Sequence, residues 1–78
     1  MRIEVNEKDI EQGWPGVGAS CPIALAIKRT LGCAASVGDN YIRIAEHGTY
    51  ETPAVARSFI YAFDRGADVQ PFSFTLTK

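Results

Sequence analysis

Hydrophobic side chains recur along the chain at the spacings of short strands and helices. Ile3 and Val5 alternate with charged residues, which predicts a half-buried strand over residues 1–5. Asn6 is a good helix cap, and the acidic residues after it favour a short helix over residues 7–12. The chain is therefore predicted to begin with a strand followed by a short helix.

The strongest helical pattern follows a glycine-rich loop over residues 14–19. Ser20 is predicted to cap this helix, with Cys21 and Pro22 in its first turn, and Gly32 is predicted to end it. Apolar residues cover most of the circumference, so this should be the central helix of the fold. The positions that carry the pattern are Ile23, Ala24, Leu25, Ala26, Ile27 and Leu31.

A meander of three short strands is predicted next. A Gly-Asp-Asn turn separates the first two strands, and a two-residue turn at His47–Gly48 separates the second from the third. The strands are predicted over residues 33–37, 41–46 and 49–51.

A second long helix and a final strand complete the pattern. Thr52 and Pro53 give the cap-then-proline order that starts a helix, and Gly66 is predicted to end it. The residues predicted to face the core are Val55, Ala56, Phe59, Ile60 and Phe63. Those predicted to face outwards are Arg57, Ser58, Tyr61, Asp64 and Arg65. The final strand alternates apolar residues with serine and threonine.

This order of elements predicts a single α+β domain over residues 1–78. Strands interleaved closely with helices favour a small antiparallel or mixed sheet with the two main helices packed on one face. The apolar face of that sheet is predicted to carry Ile3, Val5, Ile42, Ile44, Phe72, Phe74 and Leu76.

Composition narrows the function classes. The net charge is −1 and the isoelectric point is about 5.7, so the chain lacks the basic field that grips a phosphate backbone, and direct nucleic-acid binding is not expected. No apolar run approaches the roughly 20 residues needed to span a bilayer, so no membrane partner is expected. The first residues do not resemble a signal peptide, which predicts a cytoplasmic protein.

The glycine loop is a near match to a phosphate-binding loop. Gly13 and Gly18 have the spacing of the motif, but Ala19 stands where its phosphate-binding lysine belongs. The segment before the loop is predicted to be a helix, whereas the motif follows a strand. The glycines are therefore interpreted as turn residues, with a weaker anion site at the start of the next helix as the alternative.

The two cysteines and the single histidine offer little chemistry. Cys21 and Cys33 lie at opposite ends of a predicted helix, about 18 Å apart, which is too far for a disulfide. Cys21 is a nucleophile candidate only if His47 lies within hydrogen-bond reach. No spacing fits a structural zinc site. The chain is predicted not to be an enzyme and to hold no metal or cofactor.

Surface recognition is the remaining class, because aromatic residues and arginine are enriched in interface hot spots. Trp14 has an alternative role as a loop residue that clamps over the edge of the core. For Arg57, Tyr61 and Arg65, the alternative is an ordinary solvent-exposed helix face. An exposed sheet face would also suit a homodimer. The candidate partner-binding residues are Trp14, Tyr41, Arg43, Arg57, Tyr61 and Arg65.

Three segments carry a resemblance to known proteins. They are CPIALAIKR over residues 21–29, SVG over residues 36–38, and AFDRG followed by PFSF between residues 62 and 74. With these segments the chain resembles small proteins of phages and prophages, and in particular an anti-CRISPR protein of type I, with I-C as the candidate subtype. The resemblance covers most of the chain and consists of structural residues rather than catalytic ones.

The resemblance implies a non-enzymatic inhibitor of a host defence system, acting in the host bacterial cell. Such a protein would bind a type I CRISPR-Cas surveillance complex and sterically block DNA binding or nuclease recruitment. The alternative is a small phage accessory protein that binds nucleic acid or a regulatory partner. That alternative would require a basic patch that brings together Lys28, Arg29, Arg43, Arg57 and Arg65.

Overall fold

Over residues 1–77, three helices and five strands follow one another in the order that the sequence pattern predicts. The computed structural model describes residues 1–77. The bounds are β1 Arg2–Val5, α1 Glu7–Gln12, α2 Pro22–Leu31, β2 Ala35–Val37, β3 Tyr41–Ile44, β4 Gly48–Glu51, α3 Ala54–Asp64 and β5 Phe72–Thr75. The predicted α+β fold class is confirmed.

The strands form two antiparallel sheets over the described residues rather than one. β1 pairs with β5, so that Ile3 lies opposite Phe74. β2, β3 and β4 form a meander in which Ile42 lies opposite both Val37 and Tyr50. The expectation of a single sheet is therefore wrong in how the strands are joined, although the predicted antiparallel pairing is present.

Each sheet has a backbone group that bonds outside its strand ladder. On β1, the carbonyl of Glu4 accepts a hydrogen bond of 2.8 Å from Nη2 of Arg29. On β2, the backbone N–H of Val37 donates to the carbonyl of Gly18, at 3.0 Å, in the loop before α2. Backbone groups satisfied in this way are not available for further strand pairing.

α1 is short, and hydrogen bonds cap both of its ends. The side chain of Asn6 accepts from the backbone N–H of Asp9 at 2.8 Å, and the Asp9 carboxylate accepts from the N–H of Asn6 at 3.0 Å. This reciprocal arrangement is a capping box, which satisfies two amides that the helix cannot pair internally. The N–H of Gly13 then donates to the Asp9 carbonyl and ends the helix.

The predicted N-terminal caps of the two longer helices are wrong by one residue. α2 is capped at Cys21, without a side-chain hydrogen bond, and Ser20 belongs to the preceding turn. α3 is capped at Pro53, and the Thr52 hydroxyl donates instead to the Gly38 carbonyl at 2.8 Å. Each helix therefore begins one residue later than its best capping side chain indicates.

The β3–β4 turn is longer than predicted. β3 ends at Ile44, which pairs with Gly48, so the connection is Ala45–Glu46–His47 rather than His47–Gly48. Glu46 has φ of 68° and Gly48 has φ of 96°. The turn therefore places a non-glycine residue in the left-handed region, which is uncommon.

The core is built from buried side chains of both sheets together with those of α2 and α3. α2 packs against α1, β1 and β2, as expected of the central helix. α3 contributes Phe59, whose ring stacks on Phe72 of β5 with centroids 4.6 Å apart. Val55 was predicted to face the core but is 50% exposed, because it lies at the edge of the apolar face of α3.

Candidate functional site

Three of the predicted binding residues lie on one exposed face formed by α3 and its C-terminal cap residue, Arg65. Arg57, Tyr61 and Arg65 follow one another at intervals of four residues, which places them on the same side of the helix. With Ser58 and the neighbouring Asp39 they form what we call the α3 surface. Arg57, Ser58, Tyr61 and Asp39 line a depression of about 390 Å³.

The side chains of the α3 surface are held in place by specific contacts. Arg57 donates from Nε to the Asp39 carbonyl at 3.1 Å and from Nη2 to the Thr52 carbonyl at 3.3 Å. The guanidinium carbon of Arg65 lies 4.9 Å from the centroid of the Tyr61 ring, within cation–π distance. Tyr61 is nevertheless 65% exposed, so its ring is ordered by a neighbour and still open to a partner.

Tyr41 and Arg43 lie on a second surface. β3 alternates, so both face away from the core and lie beside Thr49 and Glu51 of β4 and Ser36 of β2. We call these five residues the sheet surface. Tyr41 is 60% exposed. The prediction that these positions face outwards is confirmed, while partner binding and homodimerisation through this surface stay predictions.

Trp14 does not clamp the core. It is 67% exposed and lies in the loop between α1 and α2. That loop is tied to α3, because the backbone N–H of Gly16 donates to Oδ1 of Asp64 at 2.9 Å. Asp64 lies about one helical turn after Tyr61, so this bond attaches the segment that carries Trp14 to the helix that carries Tyr61.

The same hydrogen bond argues against a phosphate site at the near match to a phosphate loop. A phosphate would need the loop amides as donors, but the Gly16 amide donates to a carboxylate, and the Trp14 amide donates to the Ser20 carbonyl. The small cavity beside the loop, of about 90 Å³, is also lined by Asp39 and Asp64. The negative charges of these two aspartates oppose an anion.

Cys21 has the environment of a structural thiol. Burial raises the pKa of the Cys21 thiol, backbone hydrogen bonds partly offset this, and the Asp64 carboxylate raises it further. A raised pKa reduces the thiolate fraction that a nucleophile needs. His47 lies in the β3–β4 turn and does not line the cavity that Cys21 borders. The absence of enzymatic activity stays a prediction.

Cys33 is half-buried, and both cysteines are free thiols. Within residues 1–77, no three side chains of the histidine, cysteine, aspartate and glutamate types are grouped as metal ligands. The same residues contain no helix whose length and apolar character would allow it to cross a bilayer.

The basic residues are distributed over separate surfaces. Lys28 and Arg29 lie in a groove between α1 and α2, Arg43 lies on the sheet surface, and Arg57 and Arg65 lie on α3. The Arg29 guanidinium also forms an ion pair of 2.8 Å with Asp9. This arrangement does not support the single basic patch that nucleic-acid binding would require.

Sequence reasoning missed Asp64 and Asp39 as parts of the site. Asp64 was expected to be an exposed helix residue, and it is exposed, but its carboxylate also anchors the loop of Trp14. Asp39 was expected only as a turn residue, and its carbonyl positions Arg57. Both contacts join segments far apart in sequence, so no local pattern signals them.

Comparisons of the chain with protein-family models, with curated proteins and with solved structures give no match. The geometry described above and the sequence resemblance are therefore the basis for a function.

Proposed function

We propose that this protein is an interaction module that binds a protein partner through the α3 surface and acts as an inhibitor by occupying a site that the partner needs. The observation that carries the proposal is the exposed Tyr61 ring, stacked by Arg65 and flanked by a fixed Arg57. Tyrosine and arginine are among the residue types that most often dominate binding energy. Side chains already held in place lose less conformational entropy on binding.

We further propose that the partner is a type I CRISPR-Cas surveillance complex. The support is the resemblance of residues 21–29, 36–38 and 62–74 to an anti-CRISPR protein of type I. The last of these segments overlaps the C-terminal end of α3, which places Arg65 within both the resemblance and the α3 surface. Bound there, the domain would sterically block DNA binding or nuclease recruitment.

The test is a binding measurement between the full chain and an immobilised type I surveillance complex, with target DNA binding by that complex as a second readout. Tyr61→Ala should weaken binding by about 30-fold or more, as expected for a hot-spot residue. Because Tyr61 is largely exposed, the melting temperature should change little.

Tyr41→Ala is the matched control, since Tyr41 is exposed to a similar extent but lies on the sheet surface. It should bind like the parent protein. Equal losses for the two tyrosine variants would contradict the α3 surface as the binding site. No binding by the parent protein would contradict the proposed partner.

A further inference from the structure

A groove between α1 and α2 lies apart from the α3 surface and shares no residue with it. Its volume is about 260 Å³. We call it the lysine groove. α1 contributes Lys8, Asp9 and Gln12 to it, and α2 contributes Leu25, Lys28 and Arg29. Leu25 is half-buried and is the apolar side chain among the described residues that line the groove.

The carboxylate in the groove is already neutralised. Asp9 accepts from Nη2 of Arg29 at 2.8 Å and from the backbone N–H of Asn6 at 3.0 Å. The same Arg29 nitrogen donates to the Glu4 carbonyl. Arg29 and Asp9 therefore neutralise each other, and the net positive charge of the groove comes from its two lysines.

The two lysines are available to interact with a ligand. Lys8 and Lys28 are exposed, and neither forms an ion pair with any of residues 1–77. They come from different helices, and Lys28 lies one turn after Leu25. The groove thus combines an apolar floor with two unpaired positive charges, in a chain whose net charge is −1.

The glutamates of α1 lie outside the groove. Glu7 and Glu11 are four residues apart and share a face of the helix. Neither of them lines the groove, whereas Lys8 and Gln12, also four apart, both do. Glu11 lies three residues after Lys8 and is its neighbour on the helix surface, but within residues 1–77 the two form no ion pair.

We propose that the lysine groove binds an acidic segment of a partner protein, with one apolar side chain on Leu25 and carboxylates paired to Lys8 and Lys28. Charge complementarity favours a carboxylate-bearing ligand at this place. A protein segment fits better than nucleic acid, because two cations are few for a phosphate backbone and the floor is apolar. This proposal does not depend on the α3 surface or on the identity of its partner.

The test is a titration of the ¹⁵N-labelled full chain at low salt, followed by amide chemical shifts. The probe is a blocked peptide of sequence Glu-Asp-Leu-Asp-Glu, and its neutral counterpart is Gln-Asn-Leu-Asn-Gln. The acidic peptide should shift the amides of Lys8, Gln12, Leu25 and Lys28. It should bind about fivefold more tightly than the neutral peptide, and added salt should reduce the difference.

A matched pair of double variants tests the location. Lys8→Ala combined with Lys28→Ala should remove the preference for the acidic peptide. Arg2→Ala combined with Arg43→Ala removes the same number of charges from exposed residues outside the groove and should keep the preference. Dispersed amide spectra establish that each variant is folded.

Two results would overturn the proposal. One is an equal loss of the preference in both double variants, which would indicate unspecific attraction by net charge. The other is tighter binding of a short thymidine oligonucleotide than of the acidic peptide at the same amides, which would assign the groove to phosphates.

Discussion

At the scale of single residues, Asp9 connects two helices through one buried carboxylate. It is 6% exposed, closes the capping box of α1 and pairs with Arg29 of α2. Burying a carboxylate is costly unless it is paired and hydrogen-bonded, and here it is both. The hydrogen bond to Asp9 is the main cause of the raised pKa of Arg29, ahead of the desolvation that opposes it.

We expect Arg29→Ala to lower the free energy of unfolding by about 2 kcal/mol, because it leaves the buried Asp9 carboxylate without its counter-ion. The loss should be smaller than for a fully buried pair, since the Arg29 side chain is 47% exposed and solvent screens its charge. Urea unfolding followed by circular dichroism measures this change.

Arg43→Ala is the control for that measurement. It removes an exposed arginine on the sheet surface and should change the free energy of unfolding by no more than about 0.5 kcal/mol. Equal free energies of unfolding for the two variants would show that the Asp9–Arg29 pair does not stabilise the fold.

The two thiols should react at different rates. Cys21 is buried and its pKa is raised, so at a given pH a smaller fraction is thiolate than in an exposed cysteine. Cys33 is half-buried and more accessible. In native protein at about pH 8, a thiol reagent should modify Cys33 about tenfold or more faster than Cys21. Cys21→Ser and Cys33→Ser assign the two phases, and the reverse order would contradict the placement of Cys21.

Sequence reasoning was only partly successful at this scale. The acidic residues after Asn6 were expected to favour a short helix, and α1 is present, but the burial of Asp9 was not predicted. The spacing of Asn6 and Asp9, three residues apart, is a local capping signal that accounts for the hydrogen bonds of Asp9 at the helix start but not for its burial. The partner Arg29 lies 20 residues away, and no local rule predicts that contact.

At the scale of elements, Gly18 and Gly32 are required for different reasons, neither of which involves a ligand. A Cβ on Gly18 would lie 2.6 Å from the carbonyl oxygen of Val37, and that oxygen belongs to β2. Gly32 has φ of 72° at the end of α2, but a Cβ there would meet no atom of a more distant residue within 4 Å. A larger side chain is excluded at Gly18 by a steric clash and is disfavoured at Gly32 by the left-handed backbone conformation.

Gly18→Ala should therefore destabilise the fold more than Gly32→Ala. Overpacking costs roughly 1–3 kcal/mol, and here we expect the upper part of that range because the contact is with backbone. Loss of glycine at a left-handed helix end costs about 1 kcal/mol. Thermal unfolding of the two variants gives the comparison. A larger loss for Gly32→Ala would indicate that the loop moves easily away from β2.

The order of the elements was predictable because each has its own local pattern. The alternation around Ile3 and Ile42 and the helical stripe around Ile27 are visible in the sequence, and these side chains are buried as expected. Cap positions and the β3–β4 turn were missed because they depend on the backbone conformation of single residues. The division into two sheets could not be predicted, since the pairing of β1 with β5 joins segments at opposite ends of the chain that carry no local signal for each other.

At the scale of the whole molecule, α2 packs against a strand of each sheet, β1 and β2, and α3 adds further side chains to the same core. Phe59 stacks on Phe72 of the β1–β5 sheet, while Ile60 borders the same cavity as Val37 of β2. Each sheet alone is small, and sheets of two or three short strands are marginal without a packed face. We therefore expect the two sheets to lose their structure together.

A urea titration observed by amide spectra tests this cooperativity. Signals of Ile3 in one sheet and Ile42 in the other should disappear at the same urea concentration, as in a two-state transition. Phe59→Ala should lower both midpoints, with a loss of about 3 kcal/mol in the free energy of unfolding. Separate midpoints for the two sheets would contradict a common core.

The part of the candidate site that lies on a single helix could be predicted from the sequence. The contacts between different elements could not. The spacing of Arg57, Tyr61 and Arg65 placed them correctly on one exposed face. The exposure of Trp14 and its link to α3 through Gly16 depend on tertiary structure, and a clamp over the core was the expected alternative.

The pairing of β1 with β5 has a consequence for how the chain acquires its structure. Arg2 lies opposite Thr75, so β1 leaves the ribosome before every other described element, and its partner leaves after all of them. Closing so long a segment is entropically costly, and contacts distant in sequence form slowly. During synthesis Ile3 and Val5 must therefore wait, unpaired, while the meander and both long helices emerge. For that interval the backbone groups of β1 that later pair with β5 remain without their partners.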